Sequence, residues 1–198
     1  MSLPSNPQAI QTININYTVN GSGVVLFTFG GISFKSDYNK PVLLLESQNN
    51  CPASSYNPDW NVYNFGKNTS IRLILTNSVP QSHPMHLHGH TFWVLAEGNG
   101  EWDGTITNPN NPIRRDTIQM GASNSLGSSY IVLEWEANNP GVWPLHCHVA
   151  GHASTGLFLY VLVRGELFSI SYIPDVYFFP LVSCPNISSV LYIMLCVC

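Results

Sequence analysis

The chain has 198 residues and a formal net charge of −4, with 44% hydrophobic and only 9% charged residues. This length is enough for one sizeable core, and the scarcity of basic residues argues against a surface that neutralises nucleic-acid phosphates. The 15 glycines and 14 prolines, at such a low charge, favour a loop-rich β protein.

The elements predicted along the chain are β-strands. Residues 12–19 alternate apolar and polar side chains and are followed by the turn "NGSG" and the apolar run "VVLFTF", a pattern that predicts a β-hairpin. Further strands are predicted at residues 42–46, 70–76, 91–97, 130–136 and 157–163, with Gly, Pro and Asn clusters between them. We therefore expect an all-β protein, a Greek-key β-sandwich or barrel, with a single domain over residues 1–163.

The C-terminal segment, residues 164–198, loses the strand pattern and shifts to Cys, Tyr and Ile. Prolines and polar residues interrupt its apolar run, which is too short to span a bilayer, so we expect no membrane partner. The five cysteines form no evident disulfide framework. We expect an irregular, poorly packed tail that comes from an unspliced intron or a frame error, the alternative being a genuine divergent tail.

Possible glycosylation sites bear on localisation. Asn-X-Ser/Thr sequons begin at Asn16, Asn20, Asn68 and Asn186, as they would in a secreted glycoprotein. The N-terminus has no signal-peptide pattern. We expect an extracellular parent protein whose targeting segment is missing from this sequence.

All seven histidines fall in two short segments, "HPMHLHGH" and "HCHVAGH". Residues two apart in an extended strand project to the same face. His86 and His88 are therefore expected to lie on one face of their strand, and His146 and His148 on one face of theirs. The same rule turns Cys147 to the opposite face, which predicts two neighbouring metal sites joined through one tripeptide.

The first predicted site combines Cys147 with His83, which has the opposite parity to His86, and with His152, which a loop can bring back. One thiolate and two imidazoles are the ligand set of a blue copper centre. Zinc is the alternative metal, but structural zinc sites usually pair several cysteines at short spacing. His90 has the spacing of a ligand, although packing or hydrogen bonding to a ligand is the role we expect for it.

The stretches "HPMHLHGHTFWVL" and "GVWPLHCHVAGHASTGL" resemble the two copper-binding signatures in the C-terminal cupredoxin domain of multicopper oxidases, most closely the laccases of filamentous fungi. "NPIRRDTI" and "YIVLEWEANNPGVW" are also similar to that domain. The resemblance covers roughly residues 1–163 and implies a cupredoxin (plastocyanin-like) fold and copper as the cofactor.

The resemblance also implies a role for each matching residue. The ligands of the type 1 copper would be His83, Cys147 and His152; the type 2 ligand would be His86; the type 3 ligands would be His88, His146 and His148. Leu157 stands at the axial position, where it cannot coordinate, so the reduction potential should be higher than with methionine. Cys147 and His152 would be the catalytic residues: phenol-like substrates lose one electron each at the edge of His152, and electrons pass through Cys147 to the centre that reduces dioxygen to water.

The chain also departs from the family pattern, because the paired His-X-His motifs of an N-terminal domain are absent from it. We therefore expect a fragment of a three-domain oxidase, with N-terminal cupredoxin domains as its missing partners. By itself it would hold at most a type 1 copper and would not reduce dioxygen. The alternatives are a stand-alone blue copper electron carrier and a copper-free binding or structural module. Laccase, ferroxidase and ascorbate oxidase are not separated by these residues.

Overall fold

The computed structural model describes residues 6–49 and 56–164, which form a six-stranded and a five-stranded β-sheet. The strands are β1 (Ala9–Val19), β2 (Val25–Phe29), β3 (Val62–Asn64), β4 (Ser70–Asn77), β5 (His83–Leu87), β6 (Phe92–Asn99), β7 (Ile113–Arg115), β8 (Thr117–Met120), β9 (Ser129–Glu136), β10 (Gly141–Cys147) and β11 (Phe158–Val163). Two short helices, α1 (Val42–Asn49) and α2 (Ala150–Ser154), and a 3-10 turn at Pro58–Trp60 complete the described elements.

The six-stranded sheet has the order β2-β1-β4-β9-β6-β7. Its first two strands form the predicted hairpin, and β1 runs parallel to β4. Strand β4 shows why the sequence forms such a sheet: Ile71, Leu73 and Leu75 are buried in the core, whereas the residues between them are only partly buried. This alternation turns one apolar face of the sheet to the core.

The five-stranded sheet has the order β3-β11-β10-β5-β8 and carries both histidine segments on neighbouring strands. Apolar residues of the two sheets meet in one core, to which β5 contributes Met85 and Leu87 and β10 contributes Leu145. The two sheets thus form a β-sandwich, and the histidine segments lie side by side at one end of it.

The strand predicted at residues 42–46 is wrong, because this segment is the first half of helix α1. Pro41 precedes the helix, and its carbonyl accepts hydrogen bonds from the N–H groups of Leu44 and Leu45. Leucine is a good helix former, and the helical spacing puts Val42 and Glu46 on one buried face. The buried Glu46 carboxylate accepts a hydrogen bond from the Tyr56 hydroxyl, which helps to offset its desolvation.

The other predicted strands are present, as β4, β6, β9 and β11. The predicted tail lies outside the described residues except for Arg164. Within the described part of the chain, no helix has the length and apolar character that crossing a bilayer requires.

Candidate metal centre

Cys147 is the last residue of β10 and faces the core. Its side chain is fully buried, like that of Leu145 two residues earlier. The Cys147 N–H donates to the carbonyl of Leu157 at 3.1 Å. His146 projects to the other face of the strand, where its ring stacks on Phe158 at 5.6 Å between centroids. Strand alternation therefore separates the thiol from the neighbouring imidazole.

Two histidines approach the Cys147 thiol from different elements. His83 begins β5 and is fully buried; its Nδ1 lies 3.8 Å from Sγ. His152 lies in α2, whose first turn brings the chain back, and its Nδ1 lies 3.5 Å from Sγ. The two Nδ1 atoms are 3.2 Å apart. We call these three residues the thiol site; its ligand atoms all lie within 4.8 Å of one another.

Burial keeps the thiol site uncharged. Desolvation, and to a smaller degree the proximity of His152, lowers the pKa of His83 to about 4. Burial also lowers the pKa of His152. It raises the pKa of the Cys147 thiol, although a hydrogen bond from the Val149 backbone acts in the opposite direction. The site thus offers two neutral imidazole donors and a sulfur whose ionisation needs a nearby cation.

The backbone of Leu157 and the ring of Phe27 contact the residues of the thiol site. Leu157 is fully buried, and its backbone N–H donates to the carbonyl of His152 at 3.0 Å while its own carbonyl accepts from Cys147. The Phe27 ring, on β2, lies 5.4 Å from the ring of His83 and 4.5 Å from that of His152. Sequence reasoning found Leu157 but missed Phe27, because nothing in "VVLFTF" distinguishes it from an ordinary core residue.

The other ligand candidates form a second group on the opposite face, which we call the imidazole cluster. Its members are His86, His88, His146 and His148. The Nε2 atoms of His88 and His146 are 3.0 Å apart, and the His86 ring centroid lies 4.6 Å from that of His88 and 6.1 Å from that of His148. Within residues 6–49 and 56–164, only the thiol site brings three such ligand atoms within 4.8 Å.

Hydrogen bonds to backbone carbonyls set the tautomers in the imidazole cluster. The Nδ1 of His86 lies 2.9 Å from the carbonyl oxygen of Asp116, and the Nδ1 of His146 lies 2.9 Å from that of Cys147. A carbonyl only accepts, so Nδ1 is the donor in each ring, and in the neutral tautomer Nε2 keeps its lone pair. Burial, and then the neighbouring imidazoles, lowers the pKa of His88 to about 4, which leaves the His88 ring neutral at pH 7.

His90 does not join the imidazole cluster, despite its spacing. Gly89 has φ +70°, which ends the extended conformation and turns the following residue inward. The buried His90 ring packs edge-on against Trp143 at 5.8 Å and lies 6.4 Å from the ring of Trp135. It is therefore a packing residue.

The family profile for multicopper oxidases matches residues 33–166 of the chain. The chain belongs to the multicopper oxidase family. The laccase-1 of Fomitopsis schrenkii is 34% identical over 145 residues, covering 73% of this chain and 25% of that protein. The laccase-3 of Botryotinia fuckeliana is 34% identical, covering 78% of this chain and 37% of its own. The chain thus spans well under half the length of these relatives.

Solved structures agree on the fold. The laccase of Botrytis aclada superposes with a TM-score of 0.73 at 23% identity, covering 85% of this chain and 30% of its own. Fet3p, a multicopper oxidase that functions in iron import, superposes with a TM-score of 0.70 at 24% identity, and the match covers 84% of this chain and 33% of Fet3p. The predicted all-β, cupredoxin-like fold and the laccase-like multicopper oxidase resemblance are confirmed.

Family membership implies copper and an oxidoreductase class, and the donor atoms of the thiol site fit that metal. A cysteine sulfur with two imidazole nitrogens is the set that blue copper requires. A copper cation would also compensate the charge of a buried thiolate, which the apolar surroundings otherwise disfavour.

Proposed function

We propose that this chain is the copper-binding, C-terminal-type domain of a laccase-like multicopper oxidase. The whole protein would oxidise phenol-like compounds one electron at a time and use dioxygen as the oxidant. The observation that carries the proposal is the thiol site, where a buried Cys147 Sγ lies 3.8 Å and 3.5 Å from two Nδ1 atoms. The sequence similarity to fungal laccases supports the choice of oxidase class.

We propose that His83, Cys147 and His152 would hold a type 1 copper, and that Leu157, which has no donor atom, would not coordinate it. Bound copper supplies one-electron redox chemistry that no side chain of the protein provides. Cys147 must release its proton on binding, whereas His83 and His152 are already neutral donors. Leu157 and Phe27 keep the site apolar. His152 is less buried than His83, so we propose its edge as the point where the reducing substrate approaches.

The imidazole cluster is proposed to supply type 2 and type 3 ligands, His86 for the former and His88, His146 and His148 for the latter. Partner domains with His-X-His motifs would complete that centre. The Nδ1 hydrogen bonds of His86 and His146 to backbone carbonyls support this role, because they leave Nε2 as the ring nitrogen that can bind a metal. Sequons at Asn16 and Asn20, both exposed, support an extracellular location.

The test of the type 1 assignment is copper loading of the full chain. We expect an intense visible absorption band from the thiolate–copper bond, and we expect Cys147→Ser to abolish it. Cys51→Ser is the matched control, because this cysteine has no place in the ligand pattern, and it should retain the band. A loaded chain without the band, or a band that survives in Cys147→Ser, would contradict the assignment.

A stand-alone blue copper electron carrier is the second candidate. One observation favours it: all three ligands of the thiol site come from this chain. A carrier would exchange electrons with a redox partner but would consume no dioxygen when given a phenolic reductant. Oxygen uptake by the parent protein separates the two candidates, because only the oxidase consumes dioxygen in proportion to the phenol oxidised.

A further inference from the structure

The turn that follows β5 packs against the side chain of Trp143. A Cβ atom added at Gly89 would lie 2.3 Å from Cδ2 and 2.4 Å from Cε3 of Trp143, so the indole occupies the space that any side chain at 89 would need. The same indole lies against Gly141, where a Cβ would lie 3.0 Å from Cε2. Trp143 therefore packs closely against two glycines, one on β10 and one in the turn.

Hydrogen bonds through Asn139 link Trp143 to Gly89, and we call this linked set the Asn139–Trp143 circuit. The Trp143 indole N–H donates to the carbonyl of Asn139 at 2.9 Å, and the Asn139 side-chain amide donates to the carbonyl of Gly89 at 2.9 Å. The backbone N–H of His88 donates to the carbonyl of Pro144 at 2.9 Å. His88 is thus hydrogen-bonded to β10, and Gly89 is hydrogen-bonded to the loop that leads into β10.

We propose that Asn139 and Trp143 are positioning residues that hold the Gly89 turn and thereby set His88 against His146. This inference rests on the proposed metal-binding role of the imidazole cluster. The Nε2 atoms of His88 and His146 lie 3.0 Å apart across the two strands. His88 follows the last residue of β5, so the strand pairing alone does not fix its ring. The Asn139–Trp143 circuit fixes the turn instead.

Asn139 makes the inference testable, because its side chain is exposed and removing it takes away little buried surface. Its loss should act through the carbonyl of Gly89 and not through the core. Asn138 is the matched control, since it is equally an exposed asparagine one position earlier in the same loop. Trp143→Phe keeps an aromatic ring over Gly89 but removes the indole donor.

The experiment uses the full chain and two separate readouts. A single Zn²⁺ ion needs fewer ligands than the copper cluster that the chain alone cannot complete. Zn²⁺ alone is therefore titrated into each variant while NMR follows the imidazole signals of His88 and His146. Copper loading with visible spectroscopy reports the thiol site. We expect Asn139→Ala and Trp143→Phe to weaken Zn²⁺ binding at His88 by about 10- to 100-fold, as is usual when a group supporting a ligand is lost. The thiolate–copper band should stay unchanged in both, and Asn138→Ala should match the unaltered chain in both readouts.

Three results would overturn the inference: Zn²⁺ affinity at His88 that is unchanged in Asn139→Ala, an equal loss at the thiol site, or no response of His88 to Zn²⁺ in the unaltered chain. Failure of the type 1 assignment looks different. In that case the thiolate–copper band is missing from every variant, while the Zn²⁺ titrations still rank Asn139→Ala below Asn138→Ala.

Discussion

Gly89→Ala should be among the costly single substitutions in this fold, for two separable reasons. An alanine at φ +70° costs about 1–2 kcal/mol in backbone strain. Its Cβ would also lie 2.3 Å from Trp143 Cδ2, when a carbon contact needs about 3.5 Å. The indole cannot easily retreat, because Gly141 lies against it and Asn139 holds its N–H. Overpacking of this kind costs about 1–3 kcal/mol, so we expect a total of about 2–5 kcal/mol.

A double-mutant cycle with Trp143→Ala isolates the steric part. In that background only the backbone strain of Gly89→Ala remains, so the coupling free energy should be about 1–3 kcal/mol. The assay is urea unfolding of the four chains. Gly31→Ala is the control, because Gly31 has φ +85° and nothing lies within 4 Å of the added Cβ; it should cost about 1–2 kcal/mol in both backgrounds. A Gly89→Ala cost that is the same with and without the indole would refute the argument.

Three further predictions concern other parts of the molecule. Burial raises the pKa of the Glu134 carboxyl, and Arg72 opposes the shift. Glu134 therefore binds its proton more tightly in the folded chain than in the unfolded chain, so the free energy of unfolding falls as the pH rises above 4.5. Arg72→Met should therefore cost about 3–5 kcal/mol at neutral pH and less near pH 5; equal costs in urea unfolding would contradict this. Leu157→Met should lower the reduction potential of a copper-loaded chain in voltammetry, and an unchanged potential would count against the axial position. Ser22→Ala should remove one glycan from a chain secreted by a eukaryotic host, because it destroys the exposed Asn20 sequon; an unchanged intact mass would show that the site is not used.

The strands were predictable where apolar residues alternate, and the one wrong strand shows why. Residues 42–45, "VLLL", form a continuous apolar run before Glu46, and such a run has no period that separates a buried strand from a helix. Two features favour the helix: Pro41 lies just before it, and the Tyr56 hydroxyl donates a hydrogen bond to the Glu46 carboxylate. The first is a weak local signal, and the second is a tertiary contact that the sequence does not reveal.

The candidate site divides in the same way. Parity within an extended strand was enough to separate Cys147 from His146, and His83 from His86, because that rule depends only on backbone geometry. That Cys147 and His83 share a face depends on the pairing of β5 with β10, which sets Cys147 opposite Met85. The position of His90 depends instead on Gly89, whose left-handed backbone conformation ends the extended strand, so the alternation of faces no longer applies to His90. Phe27 comes from a strand distant in sequence, so only the packing of the two sheets brings it to the thiol site.

The apolar residues between the histidines are as necessary to the site as the histidines themselves. The pairing of β5 with β10 sets Leu87 opposite Leu145 and Met85 opposite Cys147, and all four are buried on the core face. A slip of one residue would turn these side chains to the outer face and carry His86 and His146 inward. The free energy of burying Met85, Leu87 and Leu145 therefore fixes the register, and the register keeps Cys147 on the core face and His86 and His146 on the outer face. The segment "HPMHLHGH" combines the proposed metal ligands with the apolar residues that align them.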